Sequence, residues 1–349
     1  MSHAAPDPAD RVRDLDHLED LLSAPTPGVV DTLSRLGGDI LVLGVGGKMG
    51  PSLARMARRA SDLAGVNRRV LGVSRFTSPD LPTQLNGWGV ETIACDLLDP
   101  AQLARLPDAP NVVYMVGMKF GTTGQQARTW AMNSFLPGLV AARFKGSKVV
   151  AFSTGNVYPL TPVHLGGSVE TDDPAPVGEY AMSGLGRERV LEHFSRTNGT
   201  PMSAIRLFYA VEMRYGVLVD LAKKVWEGAE VDLAMGNLNC VWQGDANAMA
   251  LQSFDHLSSP PLVLNLSGPE VLSVRRVCEA FGKLMGKEPR FAGVESGTAL
   301  LGNSQLAHGL FGYPRVGVQQ VIAWTADWVM RGGASLGKPT HFETRDGRF

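Results

Sequence analysis

The sequence predicts an α/β protein built on a doubly wound parallel sheet, with a smaller region attached at its C-terminal end. Three observations support this fold class. Short, almost continuously apolar segments alternate with segments of helical spacing, as expected for a parallel sheet covered on both faces. A glycine-rich turn joins the first predicted strand to the helix that follows it. The alternation then weakens after about residue 211.

The predicted strands are rich in Val, Ile and Leu, which is typical of strands buried on both faces. In chain order they lie within DILVLGV, RRVLGVSRF, VETIACDL, NVVYMVGM, SKVVAFSTG and MSAIRLFYA. Helices are predicted between them, for example within PSLARMARRASDLAG and QARTWAMNSFLPGLVAARF. This βαβ order predicts a doubly wound sheet.

The chain of 349 residues is longer than a typical single domain. Residues 1–38 form an N-terminal extension with one helical segment, and residues 39–210 contain the alternating strands and helices. Residues 211–330 are predicted to form the smaller region, partly interleaved with the sheet domain. Residues 331–349 form a tail with little helical or strand pattern.

Composition excludes several classes of partner. The 33 basic and 34 acidic residues nearly balance, so we expect no field that attracts nucleic acid or an acidic membrane. The three cysteines have no paired spacing and the seven histidines form no HxxxH or HExxH motif, so neither a disulfide framework nor a metal site is expected. No apolar run approaches the roughly 18 residues of a membrane span. We expect a cytoplasmic protein.

The turn after the first strand has the glycine spacing of a phosphate-binding loop. Gly44, Gly47 and Gly50 form GxxGxxG between a strand and a helix, with Lys48 and Met49 inside it. Glycines allow a tight turn and close approach of the backbone to a pyrophosphate, whose charge then lies at a helix N-terminus. The alternative is a tight turn without a ligand. In this βαβ setting the motif predicts a dinucleotide-binding Rossmann domain over residues 39–210.

The end of the second strand favours NADP over NAD. Dinucleotide sites for NAD usually have an acidic residue there, whereas this chain has Ser74 and Arg75. A guanidinium binds a 2'-phosphate through charge-assisted hydrogen bonds, and Lys48 would add a second positive charge. The alternative is that both side chains are ordinary surface charges.

Several ordered motifs extend this pattern: GVGGKMG, ACDLLD, MVGMK, STGNVY, EYAMSGLGRERVLE, AIRLFY, GDANAMA and LNLSGPEVLSV. From about residue 39 to residue 330 the chain resembles the extended short-chain dehydrogenase/reductase superfamily, in its NAD-dependent epimerase/dehydratase group. Asp96, directly after the third strand, is placed to contact the adenine ring or to cap a helix. The resemblance implies that Leu97, beside it, and Val116 and Gly117, after the fourth strand, also contact the cofactor.

The resemblance also implies catalytic roles. Thr154 is similar to the Ser or Thr that hydrogen-bonds the reacting oxygen, and Tyr180 to the tyrosine that transfers the proton. Asn133 is similar to the supporting asparagine of a helix. Lys119 is similar to a lysine near the cofactor. The lysine that the family places four residues after the tyrosine is replaced by Gly184.

This replacement has a calculable cost. A lysine four residues after the tyrosine shares its helix face and stabilises tyrosinate. Free tyrosine has a pKa of about 10, so lowering it to 7 requires about 4 kcal/mol of preferential stabilisation. Three interpretations remain. Another cation takes the place of the missing lysine, with Lys119 the best candidate and Arg187 farther along the helix. Alternatively, the protein catalyses a slower or different reaction, or it binds the dinucleotide without catalysis. Packing on the core is the structural alternative for Tyr180.

The region that follows the sixth strand departs from the family as well. It contains Tyr209 within RLFYAVEMRYG, and Leu238 stands where nucleotide-sugar enzymes commonly have an arginine. A diphosphate requires bidentate donors, so we expect a smaller substrate that region 211–330 helps to bind. The candidates for substrate contact are Thr154, Lys119, Asn156, His164, Tyr209 and Arg214. Surface positions are the alternative for Lys119, His164 and Arg214.

These observations predict an NAD(P)-dependent oxidoreductase or epimerase-like enzyme with atypical proton transfer. Its substrate is expected to be a small hydroxyl or carbonyl compound, a sugar, sugar acid or keto acid rather than a nucleotide sugar. The alternative is a non-catalytic NAD(P)-binding sensor or scaffold. The resemblance further implies a homodimer.

Overall fold

The computed structural model describes residues 11–119 and 124–348. Its strands are β1 (Ile40–Leu43), β2 (Val70–Ser74), β3 (Glu91–Ala94), β4 (Asn111–Tyr114), β5 (Lys148–Thr154), β6 (Thr161–Pro162), β7 (Met202–Leu207), β8 (Tyr209–Val211), β9 (Glu230–Asp232), β10 (Asn237–Leu238), β11 (Cys240–Trp242), β12 (Leu262–Leu266), β13 (Leu272–Ser273), β14 (Arg290–Ala292) and β15 (Thr298–Ala299). Its helices are α1 (Leu15–Leu22), α2 (Pro27–Arg35), α3 (Gly50–Leu63), α4 (Asp80–Gly87), α5 (Pro100–Ala104), α6 (Gln126–Trp130), α7 (Leu136–Arg143), α8 (Gly178–Asn198), α9 (Val217–Glu227), α10 (Gln243–Gln252), α11 (Val274–Met285), α12 (Gln305–Phe311) and α13 (Val318–Met330).

The central sheet confirms the predicted fold class. It has seven strands in the order β12-β7-β5-β4-β1-β2-β3, and neighbouring strands are parallel throughout. Successive strands move outward from β1 to β3, and the chain then crosses to the other side of β1 at β4. Such a reversal opens a crevice at the carboxyl edge of the sheet, where ligands of doubly wound folds bind.

Apolar side chains cover both faces of this sheet. On one face, Leu33 of α2 and Leu53 of α3 join the buried side chains of the strands. On the other face, Leu136 of α7 and Leu191 of α8 do the same. The strands therefore carry apolar residues in succession, without the alternation of a half-exposed sheet.

The later part of the chain forms a third apolar cluster. Helices α9, α11 and α13 pack on one another, and Leu18 of α1 and Phe342 of the tail are buried among them. Elements beyond residue 211 also return to the sheet domain: β12 pairs with β7, and α10 packs on α2 and α3.

Candidate active site

The turn between β1 and α3 brings the backbone close to its neighbours. Gly44 has a φ of 89°, which favours glycine, and a Cβ there would lie 2.9 Å from Cγ2 of Val116. A Cβ on Gly46 would lie 2.5 Å from Oγ of Ser74, and a Cβ on Gly50 would collide with the backbone of the turn itself. The turn leads directly into the N-terminus of α3. Such a cradle fits a pyrophosphate group.

A cleft of about 400 Å³ opens beside this turn. Gly47, Lys48 and Met49 form part of its wall. It also brings together predicted residues that are far apart in the sequence: Gly117, Lys119, Thr154, Asn156, Tyr180 and Tyr209. The cleft therefore holds nine of the site residues that the sequence singled out.

Thr154 and Tyr180 both line this cleft, and their side chains are hydrogen-bonded to each other. Thr154, the last residue of β5, donates a hydrogen bond from Oγ1 to Oδ1 of Asn156 at 3.1 Å. Burial raises the pKa of Tyr180, while the hydrogen bond with Thr154 and the charge of Arg187 act to lower it. With its pKa raised, the phenol keeps its proton at neutral pH and is a proton donor.

Asn133 lies fully buried in a π-helical turn, Ala131–Phe135, between α6 and α7. Its side chain accepts a hydrogen bond from the N–H of Met118 at 2.8 Å and donates to the carbonyl of Met118 at 2.9 Å. It also donates to Oγ of Ser183 on α8 at 3.0 Å. Asn133 thus joins the loop after β4 to the helix that carries Tyr180.

The guanidinium of Arg187 reaches the cleft from the interior. It donates hydrogen bonds to the carbonyl of Phe152 at 2.7 Å and to Oδ1 of Asn133 at 3.1 Å. Gly117 makes room for it, because a Cβ there would lie 2.7 Å from Nη2. Arg187 is the positive charge that lowers the pKa of Tyr180. The sequence favoured Lys119 for this role.

Lys48 and Lys119 lie beside tyrosine rings. The ammonium of Lys48 is over the ring of Tyr215, and that of Lys119 is 5.9 Å from the centroid of the Tyr180 ring. Burial, with the charges of Lys119 and Lys338, lowers the pKa of Lys48 to about 7. Burial also lowers the pKa of Lys119 to about 8. Lys48 and Lys119 thus lie beside Tyr215 and Tyr180, which mark what we call the tyrosine end of the cleft. The sequence had assigned Lys48 to a 2'-phosphate.

The residues predicted to bind the adenosine half of the cofactor, Arg75, Asp96 and Leu97, differ in their surroundings. Arg75 is exposed directly after β2. Asp96 accepts a hydrogen bond from the N–H of Leu98 at 3.1 Å, and the residue that caps α5 is Asp99. Leu97 is part of the apolar core. Of the two roles considered for Asp96, the helix cap belongs to Asp99.

Two of the predicted substrate residues have other surroundings. Arg214 forms ion pairs with Glu19 at 2.6 Å and with Glu212 at 3.0 Å, so its guanidinium links α1 to the segment after β8. His164 is exposed on a short 3₁₀ turn, Val163–Leu165. The exposed position of His164 corresponds to the alternative that the sequence left open, whereas the side chain of Arg214 is only 17% exposed and is not a surface charge.

Sequence reasoning missed several residues of the cleft wall, among them Tyr215, Lys338 and Thr340. Tyr215 lies in the segment YAVEMRYG, whose departure from the family pattern already indicated a changed substrate pocket. Lys338 and Thr340 belong to the tail, where no periodic pattern marks a position. The tail contacts α9 through the hydrogen bond that Oγ1 of Thr340 donates to Asp220 at 2.6 Å.

Within residues 11–119 and 124–348, no three His, Cys, Asp or Glu side chains are grouped as metal ligands. In the same part of the chain, no helix combines the length and apolar character that crossing a membrane requires.

Comparison with known proteins places this geometry in context. Residues 40–217 match the model of the NAD dependent epimerase/dehydratase family. No curated protein matches the chain in a sequence search.

Solved structures resemble the fold closely. UDP-glucuronic acid 4-epimerase from Bacillus cereus, in complex with NAD, is 18% identical with a TM-score of 0.70, over 84% of this chain and 96% of that one. UDP-glucose 4-epimerase from Thermotoga maritima is 17% identical with a TM-score of 0.68, over 84% and 99%. UDP-Glc/GlcNAc 4-epimerase from Campylobacter jejuni is 19% identical with a TM-score of 0.70, over 84% and 100%. At these identities the likeness shows the fold alone.

Proposed function

Because the chain belongs to the NAD-dependent epimerase/dehydratase family, a family of NAD-dependent enzymes, we propose that it interconverts a hydroxyl and a carbonyl group on a small polar substrate. One observation carries this proposal: Thr154, Tyr180 and Arg187 line a single cleft beside the glycine turn. NAD, when bound, supplies hydride transfer to or from the substrate carbon. The glycine turn and the N-terminus of α3 would hold its pyrophosphate.

The side chains of the cleft supply the hydrogen bonds and the proton transfer that the reaction requires. Thr154 donates a hydrogen bond to the reacting oxygen, and Tyr180 exchanges a proton with it. In the reducing direction the phenol gives its proton to the carbonyl oxygen, leaving tyrosinate; in the oxidising direction tyrosinate takes the hydroxyl proton. Arg187 stabilises the tyrosinate, and Asn133 positions both Arg187 and the loop after β4.

The substrate proposal favours a small sugar, sugar acid or keto acid. Leu238, in place of a phosphate-binding arginine, is fully buried in the apolar core, and Lys338 and Thr340 of the tail form one wall of the cleft. The structural neighbours are named as epimerases of UDP-sugars, which conflicts with the exclusion of nucleotide sugars made from the sequence. A UDP-sugar is therefore the second candidate.

The family assignment supports a nicotinamide dinucleotide, NAD. Arg75 is exposed directly after β2, and an exposed guanidinium at this position favours binding of a 2'-phosphate. We propose that Arg75 gives the protein a preference for NADP.

The surface also supports a homodimer. Large apolar side chains are exposed on α6, the π-helical turn and α8: Trp130 at 38%, Phe135 at 60% and Met182 at 46%. These segments pack on one another, and we propose that a second copy of the chain covers their exposed apolar side chains.

The function is tested by following absorbance of the reduced nicotinamide with sugars, sugar acids, keto acids and UDP-glucose as substrates. On the substrate so identified, Tyr180→Phe and Thr154→Ala are each expected to lower kcat by about 100-fold or more. Their affinity for NAD and for NADP should stay within twofold of the natural protein. Unchanged turnover in both variants would refute the role assignment, and tight dinucleotide binding with no turnover on any substrate would favour the sensor or scaffold.

A further inference from the structure

Three lysines from distant parts of the chain meet in the cleft. Lys48 comes from the glycine turn, Lys119 from the loop after β4, and Lys338 from the C-terminal tail. The charges of Lys119 and Lys338 both act on Lys48. Bringing like charges together in a partly buried site costs free energy. Clusters that bear such a cost are common at functional sites.

The cluster lies at the tyrosine end of the cleft. The ammonium of Lys48 lies over the ring of Tyr215, and that of Lys119 is 5.9 Å from the centroid of the Tyr180 ring. Tyr180 is the proposed proton-transfer residue. The three lysines therefore line the same cleft as Tyr180.

Two carboxylates attract Lys48, and both have further partners. They are Glu212 and Asp220. Glu212 accepts a hydrogen bond from Nε of Arg214 at 3.0 Å, and Asp220 accepts one from Oγ1 of Thr340 at 2.6 Å. Among the described residues that line the cleft, the charged side chains are Lys48, Lys119, Arg187 and Lys338, with no carboxylate, so the wall has a positive character that suits an anion.

The tail holds Lys338 in place from both sides. Before it, the N–H of Leu336 donates to the carbonyl of Arg214 at 3.0 Å. After it, Thr340 binds Asp220 and Phe342 is 2% exposed in the C-terminal core. The third lysine is thus anchored as part of the wall.

We propose that Lys48, Lys119 and Lys338 bind an oxyanion of the substrate, a carboxylate or a phosphate, while Thr154 and Tyr180 act on its hydroxyl or carbonyl group. This inference rests on the proposed function and narrows the substrate to hydroxy acids, keto acids, sugar acids and sugar phosphates. Ammonium groups are compact point charges that suit either oxyanion.

The test measures anion binding directly, without turnover. Full-length protein labelled with ¹³C at lysine Cε is titrated with inorganic phosphate, with malonate and with neutral glycerol, first alone and then with saturating NAD. We expect the Cε resonances of Lys48 and Lys119 to titrate near pH 7 and pH 8. Phosphate or malonate should raise both pKa values, since a bound anion favours the ammonium form. Glycerol should change neither value.

Single-residue variants assign the site. Lys48→Gln and Lys338→Gln should each weaken binding of the favoured anion about tenfold, and affinity should fall as pH rises from 6.5 to 8.5, because the ammonium forms are lost. Glu212, Asp220, Lys119 and Lys338 are the charged groups that act on Lys48, and Glu212→Gln should strengthen anion binding. Lys283→Gln, an exposed lysine of α11, is the matched control and should leave affinity unchanged.

Three results would overturn the inference. The first is an equal change of the lysine pKa values with anions and with glycerol. The second is an unchanged affinity for the anion in both Lys48→Gln and Lys338→Gln. The third is displacement of phosphate by NAD, which would assign the lysines to the pyrophosphate of the cofactor. Preference for malonate over phosphate would indicate a carboxylate substrate, and the reverse a phosphate. Anion binding is also measured in Tyr180→Phe, where it should persist, so the subsite and the proposed reaction fail independently.

Discussion

Gly184 of α8 packs directly on Thr154 of β5: a Cβ at position 184 would lie 2.9 Å from Cγ2 of Thr154. Any larger side chain must displace Thr154, and with it the hydroxyl that binds Tyr180. Gly184→Ala and Gly184→Lys are therefore both expected to lower the free energy of unfolding by about 1–3 kcal/mol. Gly184→Lys should also lower turnover, although it recreates the lysine spacing of the family. Urea unfolding and steady-state kinetics check both effects.

Gly309 supplies the control for this substitution. It lies inside α12 and is exposed, and a Cβ added there would meet no atom of the described residues within 4 Å. Gly309→Ala should stabilise the protein by up to about 1 kcal/mol, because alanine favours helix. A gain of turnover in Gly184→Lys with unchanged stability would contradict the packing argument.

Arg187 should control how readily Tyr180 loses its proton. Burial raises the pKa of Tyr180, and the guanidinium acts in the opposite direction. In the oxidising direction the rate should increase with pH as tyrosinate forms, and Arg187→Met should move this increase to higher pH, since a favourable charge is lost. We expect kcat at pH 8 to fall about 100-fold.

Two further variants separate charge from folding. Arg187→Lys retains a positive charge and should move the pH profile less than Arg187→Met does. Arg189→Met removes an exposed arginine of the same helix that pairs with Glu192 at 3.2 Å, and should change neither kcat nor its pH profile. If Arg187→Met lowers stability while leaving the pH profile in place, Arg187 acts only in packing.

The residues that sequence reasoning identified are those fixed by local motifs. Gly44 and Gly50 are required by a single strand-to-helix turn, and the Rossmann sheet follows from runs of apolar residues. Arg187 was placed farther along the helix, because spacing on one helix does not reveal that Gly117 leaves space for a guanidinium. Lys338 lies in a segment without periodicity, so only tertiary packing brings it to the cleft.

Arg75 is expected to set the cofactor preference. It is exposed directly after β2, where a guanidinium would bind a 2'-phosphate. Arg75→Ala should weaken NADPH binding about tenfold and leave NADH binding within twofold, as measured by fluorescence titration. Arg69→Ala is the matched control, because Arg69 precedes the same strand and pairs with Asp39. Equal affinities for NADPH and NADH in the natural protein would refute the preference.

The exposed apolar surface of α6 and α8 predicts a concentration-dependent dimer. Phe135 is 60% exposed, and a charge at this position would have to be buried without a partner in the dimer. Phe135→Asp should therefore shift the molecular mass in light scattering from dimer to monomer. Leu63→Asp changes a residue that is 70% exposed on α3 and should leave the mass unchanged. A monomeric natural protein at micromolar concentration would exclude this interface.

Lys48 should make stability depend on pH. Burial is the main cause that lowers its folded pKa to about 7 from 10.5, so between these values the unfolded state binds more protons than the folded state. The free energy of unfolding should then rise with pH across this window. Lys48→Met removes the buried charge, and should stabilise the protein at pH 6 by on the order of 1 kcal/mol after allowance for screening by solvent. This advantage should shrink as the pH approaches 10, where Lys48 is neutral in the folded protein. Thermal unfolding from pH 6 to 10 measures it against Lys283→Met, and a constant difference across that range would show that Lys48 keeps its ordinary pKa.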